Sequence, residues 1–175
     1  ERFKKLIHEP SGLILLTGPT GSGKTTAIYS ALCQLVETHG PTISISTVED
    51  PVEFNLPMIS QSQISNSRGF TYPMALRSLM RQDPEAIMIG EIRDAETAAI
   101  AVQAGLTGHM IFSTIHSDST AGVYARLINM DIEPFLLASS ITGVLGLRLL
   151  RTICPSCKIQ TQPNPEYLSL LPDGF

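Results

Sequence analysis

The sequence predicts an α/β domain in which a mostly parallel sheet is covered by helices on both faces. Three observations predict it. Short apolar or β-branched runs alternate with segments of helical period along most of the chain. Several of those runs, such as residues 13–16 and 86–89, are apolar throughout, as strands buried on both faces are. The chain has 175 residues, 43% of them apolar and only 16% charged, which suits one domain with a sizeable core.

Each element follows from local chemistry. Leu-Ile-Leu-Leu at 13–16 reads as the first strand. Behind residues 18–25 a helix carries Ala27, Ile28, Ala31, Leu32, Leu35 and Val36 at spacings of three and four. His39-Gly40-Pro41 stops it. Residues 42–48 alternate and are β-branched, so they read as a second strand, ended by Glu49-Asp50-Pro51. Residues 55–71 are polar and read as a loop with a short strand near Ile64. Pro73 opens an amphipathic helix bearing Ala75, Leu76, Leu79 and Met80, which Asp83-Pro84 breaks. Residues 86–89 are the third strand. Asp94 then caps a helix with Glu96 in its first turn and Gly105 as its stop. Residues 109–114 form the fourth strand. Residues 119–130 form a helix with Ala121, Tyr124, Leu127 and Ile128 on one face. Pro134 opens a last helical region, in one or two segments, toward Leu150. From Pro155 the chain is polar and proline-rich and reads as tail. The expected division is a domain over 1–153 and a partial cysteine element with tail over 154–175.

Bulk properties narrow the function. The formal net charge is −4, and the one basic cluster, Arg2, Lys4 and Lys5, reads as a solvated helix face, so a nucleic-acid partner is not expected. No apolar run reaches the roughly 20 residues of a membrane span; the greasy stretch 141–150 is interrupted by Arg148 and followed by Arg151. The charged opening at 1–9 does not resemble a signal peptide, and the chain reads as cytosolic. Three cysteines make no disulfide framework in that setting, and Cys33 reads as a small buried apolar residue.

The chemistry starts at residues 18–25, Gly-Pro-Thr-Gly-Ser-Gly-Lys-Thr, which match the phosphate-binding loop pattern G-x-x-x-x-G-K-[ST] in full. A strand, a glycine-rich turn and a helix N-terminus together make an anion site. Lys24 is placed to reach the β- and γ-phosphates of ATP, and the Thr25 hydroxyl to bind Mg²⁺. Pro19, Thr20, Ser22 and Thr26 complete the candidate nucleotide-binding stretch beside Gly18, Gly21 and Gly23. Glu91 stands at the end of the third strand, where hydrolysis needs a carboxylate to order the magnesium shell or the water; the alternative is a surface carboxylate capping the next turn. Glu49, Asp50 and Glu53 follow the second strand, and Glu49, nearest to it, is the favoured member. His109 and His116 bracket the fourth strand and suit either core hydrogen bonding or a place near the γ-phosphate. Arg77 and Arg81 stand four apart on a helix face, which fits phosphate recognition and surface salt bridges equally. Cys154-Pro-Ser-Cys157 is half of a zinc ribbon.

Taken together these residues resemble the secretion ATPase superfamily of type II secretion and type IV pilus assembly. The likeness runs from about Gly12 to Cys157 and rests on four blocks in order. Gly-Pro-Thr-Gly-Ser-Gly-Lys-Thr-Thr at 18–26 looks like that family's Walker A loop, and Thr-Val-Glu-Asp-Pro-Val-Glu at 47–53 like its aspartate box. Arg-Gln-Asp-Pro at 81–84 with Ile-Met-Ile-Gly-Glu-Ile-Arg-Asp at 87–94 looks like its atypical Walker B. Thr-Gly-His at 107–109 with Ser-Thr-Ile-His at 113–116 looks like its histidine box.

The resemblance implies a RecA-like P-loop ATPase domain that works as a hexamer on ATP and Mg²⁺. It implies that Glu49 and Glu91 support hydrolysis, and that His109 and His116 serve the γ-phosphate and interdomain coupling. It also implies a cytoplasmic motor docked on an inner-membrane platform protein and driving pilin or pseudopilin assembly. Cys154 and Cys157 look like the first pair of a tetracysteine zinc element. That pair, with residues 133–140, favours an assembly or secretion motor over a retraction motor. The family's N-terminal domain and its second cysteine pair lie outside these 175 residues, so the chain reads as a fragment. Two other readings are a nucleic-acid-translocating motor on the same fold and a non-catalytic nucleotide-gated scaffold.

Overall fold

A computed structural model describes residues 2–162, 164–168 and 170, so the end of the tail, 171–175, lies outside the described residues. Its centre is one six-stranded sheet built from β1 (Gly12–Thr17), β2 (Ile45–Glu49), β3 (Ser60–Gln63), β4 (Ala86–Ile89), β5 (Met110–Thr114) and β6 (Ile141–Gly146). The spatial order is β3-β2-β4-β5-β1-β6 and every neighbouring pair is parallel. The helices are α1 (Arg2–Leu6), α2 (Lys24–His39), α3 (Tyr72–Leu79), α4 (Ala95–Leu106), α5 (Thr120–Ile128), α6 (Pro134–Ser140) and α7 (Pro165–Leu168).

Strand period divides the core between the two faces. Leu13 and Leu15 of β1 point into a layer with α3, α4, α5 and α6, where Leu76, Ala98, Ala101, Val123, Leu127 and Leu137 are buried. Ile14 and Leu16 point into the other layer, against Ile28, Tyr29, Leu32 and Leu35 of α2, with Phe3 and Leu6 of α1 packed at its margin. Each fully buried leucine or isoleucine side chain stabilises the fold by about 1.5–3 kcal/mol. This double coverage is why β1 and β4 read as unbroken apolar runs.

The structure corrects several expectations. The helical region opened by Pro134 ends at Ser140, and residues 141–146 are a sixth strand on the outer side of β1. β-Branched Ile141, Thr142 and Val144, with Gly143 among them and Gly146 after, favour the pleat over continued helix. Gly105 does not stop α4, which runs on to Leu106 with Thr107 as its cap. Gly105 packs instead on β1, where an added Cβ would meet the Gly12 carbonyl carbon at 3.1 Å. The second strand starts at Ile45, because Gly40–Thr42 forms a 3-10 turn. The strand expected near Ile64 is β3, an edge strand just ahead of it. On α5 the buried residues are Val123 and Leu127, whereas Ala121, Tyr124 and Ile128 face outward. Cys33 is half-buried at the margin of the α2 layer.

Candidate functional site

All strands run the same way, so the turns that follow β1, β2, β4, β5 and β6 meet along one edge of the sheet, where ligands of open α/β sheets bind. The phosphate loop leaves β1 there. Gly18 has φ 149°, and a Cβ on it would come within 2.5 Å of the Leu147 carbonyl oxygen, because the chain leaving β6 passes directly over it. Leu147 N–H donates to the Thr17 carbonyl at 2.8 Å and holds that crossing in place. α2 starts at Lys24 behind Gly23, with no side-chain cap, so its first-turn N–H groups face the loop.

The loop's own chemistry suits a polyphosphate. Lys24 Nζ donates to the carbonyls of Gly18 and Pro19, both at 2.9 Å, which places an ammonium over the hollow of the loop. Ser22 Oγ is buried with no hydrogen-bond partner among the described residues. A cation, an orphaned hydroxyl and a helix N-terminus converge on one small volume, and a triphosphate would satisfy all three.

Beside the loop lies a cleft of about 180 Å³, lined by Thr25, Asp50, Glu53, Tyr72, Glu91 and His116 among others. Main-chain bonds set it. Gly90 N–H donates to Val48 O at 2.8 Å, Ile92 N–H to Thr114 O at 2.9 Å, and Thr114 Oγ1 to Gly90 O at 2.8 Å. The Gly90-Glu91 turn is thus pinned to both β2 and β5. A Cβ on Gly90 would sit 2.8 Å from the Tyr72 hydroxyl, so glycine here admits that ring. The Tyr72 hydroxyl titrates well above its usual value, first through burial and then through the charges of Glu91 and Asp50.

Glu91 is mostly buried and held from two sides. Arg93 donates to its Oε1, and His116 Nε2 lies 3.9 Å from its Oε2. The Glu91 hydrogen bond, and then its charge, raise the Arg93 guanidinium above its ordinary value. His116 also borders a second, larger cavity of about 670 Å³, lined by Gly18, Pro19, Ser117, Arg126 and Arg148. The imidazole therefore lines both the acid cleft and the space beside the phosphate loop.

Glu49 is placed differently. It is 2% exposed, and protein donors occupy both its oxygens. Tyr29 donates to Oε2, while Thr47 and Gln61 donate to Oε1, Gln61 at 3.1 Å. Glu49 is among the residues of the cleft, but its carboxylate is committed to neighbours. Burial, and then the Glu49 hydrogen bond and charge, push the Tyr29 hydroxyl up to about 12.

Other expected site residues lie elsewhere. His109 precedes β5, at the opposite edge of the sheet from the loop, with Nδ1 3.3 Å from the Ala104 carbonyl. A whole strand separates it from His116. Arg77 pairs with Glu96 of α4 at 2.8 Å in the open. Arg81 is exposed and lies past the end of α3, so the two arginines share no helix face. Cys154 and Cys157 are exposed, and no cluster of three metal-ligating residues occurs among the described residues. A hydrogen bond from the Ser156 backbone, then one with Cys157, lowers the Cys154 thiol below its usual value.

Sequence reasoning gave no role to Tyr29, Gln61 and Tyr72, and none of their own to Thr47 and Arg93 within their motif blocks. Tyr29 looks like one more apolar residue of a helix core. Thr47 and Glu49 stand two apart on a strand, hence on one face, and that was the one available signal.

Comparison with known proteins agrees with the geometry. Residues 1–172 match the family model described as type II/IV secretion system protein. The type II secretion system protein HxcR of Pseudomonas aeruginosa is 54% identical over 155 residues, covering 89% of this chain and 32% of HxcR. The type IV pilus assembly ATPase PilB of Myxococcus xanthus is 53% identical over 156 residues, covering 89% of this chain and 27% of PilB. Among solved structures, the pilus retraction motor PilT with bound ADP superposes with a TM-score of 0.72 at 34% identity, over 86% of this chain and 46% of PilT. The chain therefore spans about a third or less of these curated relatives.

Proposed function

The chain belongs to the type II/IV secretion system protein family, and from that premise we propose that it is the ATP-hydrolysing motor domain of an assembly-type member. Such a motor powers type IV pilus assembly or type II protein secretion. One observation carries the reading: the phosphate loop and the Glu91 turn meet at one edge of the sheet, with Thr25 and Glu91 lining the same cleft. Four of the eight residues from Gly18 to Thr25 support the reading. Gly18 admits the close crossing of the Leu147 main chain, Ser22 offers an unpaired hydroxyl, Lys24 an ammonium, and Thr25 lines the cleft with the acids.

In this reading Lys24 exchanges its two loop carbonyls for β- and γ-phosphate oxygens, trading neutral hydrogen bonds for charge-assisted ones. Mg²⁺ bound through the Thr25 hydroxyl, with Glu91 acting through its water shell, would neutralise charge on the transferring phosphoryl group. Glu91 orients the attacking water and accepts its proton on Oε2, the oxygen not bonded to Arg93. His116, on the boundary between the two cavities, meets the γ-phosphate side. Glu49 supports the site from behind the acidic turn. His109 stands at the opposite edge of the sheet from the loop, and Arg77 and Arg81 line neither cavity beside it. Their exposed or edge positions suit contacts with other domains or subunits.

Among the described residues no helix is long and apolar enough to cross a membrane. The working assembly proposed is a hexamer in the cytoplasm that reaches the inner membrane through a platform protein, with Cys154 and Cys157 contributing to a zinc element in the full-length chain.

The test is Glu91→Gln in the full-length protein. ATP should bind with near-parent affinity by calorimetry while phosphate release falls by about 10²-fold or more. Hydrolysis at the parent rate would remove Glu91 from the reaction and with it this reading of the cleft.

A further inference from the structure

Tyr29 sits in the second turn of α2, the helix that begins with Lys24, and its side chain is 2% exposed. Its ring meets Phe54 edge-on, with centroids 4.7 Å apart. Packing alone would be served by phenylalanine. The hydroxyl adds polar contacts: it donates to Glu49 Oε2 and accepts from Gln61 Nε2 at 3.5 Å. Glu49 passes the connection on. Its Oε1 accepts from Gln61 Nε2 of β3, and that amide also bonds the loop after β2, donating to Phe54 O at 3.3 Å and accepting from Leu56 N–H at 2.7 Å.

The chain of contacts is closed. It runs from the phosphate-loop helix through the end of β2 to β3, and back to the loop that presents Asp50 and Glu53 to the cleft. A buried carboxylate with three donors is rigid, because releasing any one strands a polar group away from water, at about 1–3 kcal/mol. We infer that Tyr29 is a positioning residue for ATP hydrolysis. Its hydroxyl, acting through Glu49 and Gln61, fixes the acidic turn at 50–53 relative to the phosphate loop. The ring fills the core; the hydroxyl sets the register between the element that holds the phosphates and the one that holds the acids. The inference rests on the ATPase reading above and deepens it.

The experiment uses Tyr29→Phe and Gln61→Leu in the full-length protein. Gln61 is only half-buried, so its replacement leaves the core intact. A loosened turn shifts the acids Asp50 and Glu53 that line the cleft with Thr25 and Glu91, without weakening the phosphate grip, so kcat should fall by about ten-fold or more while KM for ATP stays within about two-fold. Because both variants cut one connection, the double variant should lose less than the product of the single losses. If both variants keep kcat within two-fold of parent, or lose rate only through a raised KM, Tyr29 is a packing residue and the inference falls. Should Tyr29→Phe not fold, Gln61→Leu decides by the same kcat-against-KM split. Glu91→Gln, run in parallel, separates the two ideas: parent-rate hydrolysis there sinks the ATPase reading, whereas a dead Glu91→Gln beside a fully active Tyr29→Phe sinks only the positioning role.

Discussion

Replacing Gly18 with alanine should damage nucleotide binding far more than replacing Gly21, although both belong to the same loop. Gly21 has φ 74°, and a Cβ there would meet nothing within 4 Å. Its replacement costs only the left-handed backbone, about 1–2 kcal/mol. Gly18 has φ 149° and also faces the Leu147 carbonyl oxygen at 2.5 Å and Ser22 Oγ at 2.7 Å. That approach is about 1 Å inside the ~3.5 Å contact optimum. The obstacle is main chain, tied by Leu147 N–H to the Thr17 carbonyl, so the phosphate loop must move instead. A displacement of about 1 Å at a reacting group can cost ~10²-fold. Calorimetric titration with ATP should therefore show Gly18→Ala binding at least about ten-fold more weakly than Gly21→Ala, a gap of about 1.4 kcal/mol. Thermal melting of both variants checks that they are folded. Equal affinities, or the reverse order, would refute the idea that the strand β6 crossing shapes the loop.

Two further outcomes follow from the same geometry. Asp94 caps α4 by accepting from Thr97 N–H at 2.8 Å and Thr97 Oγ1 at 2.9 Å; Asp94→Ala should lower unfolding free energy in urea by about 1 kcal/mol, and no change would discount the cap. Tyr29 holds its proton more tightly folded (about 12) than unfolded (10.0), so its contribution is whole below pH 10 and is lost as pH rises through 12. The stability gap between parent and Tyr29→Phe should accordingly shrink by on the order of 2–3 kcal/mol over that window, whereas a gap that ignores pH would mean the hydroxyl is neither buried nor held by Glu49.

What could be seen without coordinates was whatever local chemistry dictates. The phosphate loop is contiguous, so its glycines, Lys24 and Thr25 announce themselves wherever the chain goes. The apolar runs at 13–16 and 86–89 disclose strands covered on both faces, because such strands tolerate no polar alternation. Asp94 discloses its cap because the bond reaches only three residues ahead. Residues 141–146 were harder. Their β-branched residues and glycines lean toward a strand, but the helix opened by Pro134 runs straight into them, and the open side of β1 is what gives that strand a partner. Gly105 misled for a related reason: a glycine near a helix end signals a stop, yet this one is required by the backbone of Gly12 lying against it.

The sequence alone determined the phosphate loop, the parallel α/β class and the set of strand-end acids, since each depends on residues adjacent in the chain or on a period of two or 3.6. Tertiary structure alone decided which of those groups face one another. Glu91 opens toward Thr25 and His116, Glu49 is drawn into Tyr29, Thr47 and Gln61, and His109 is left at the far edge. The physical reason is that a side chain's partners come from elements distant in sequence, and only the closed packing of the sheet brings them within hydrogen-bonding reach.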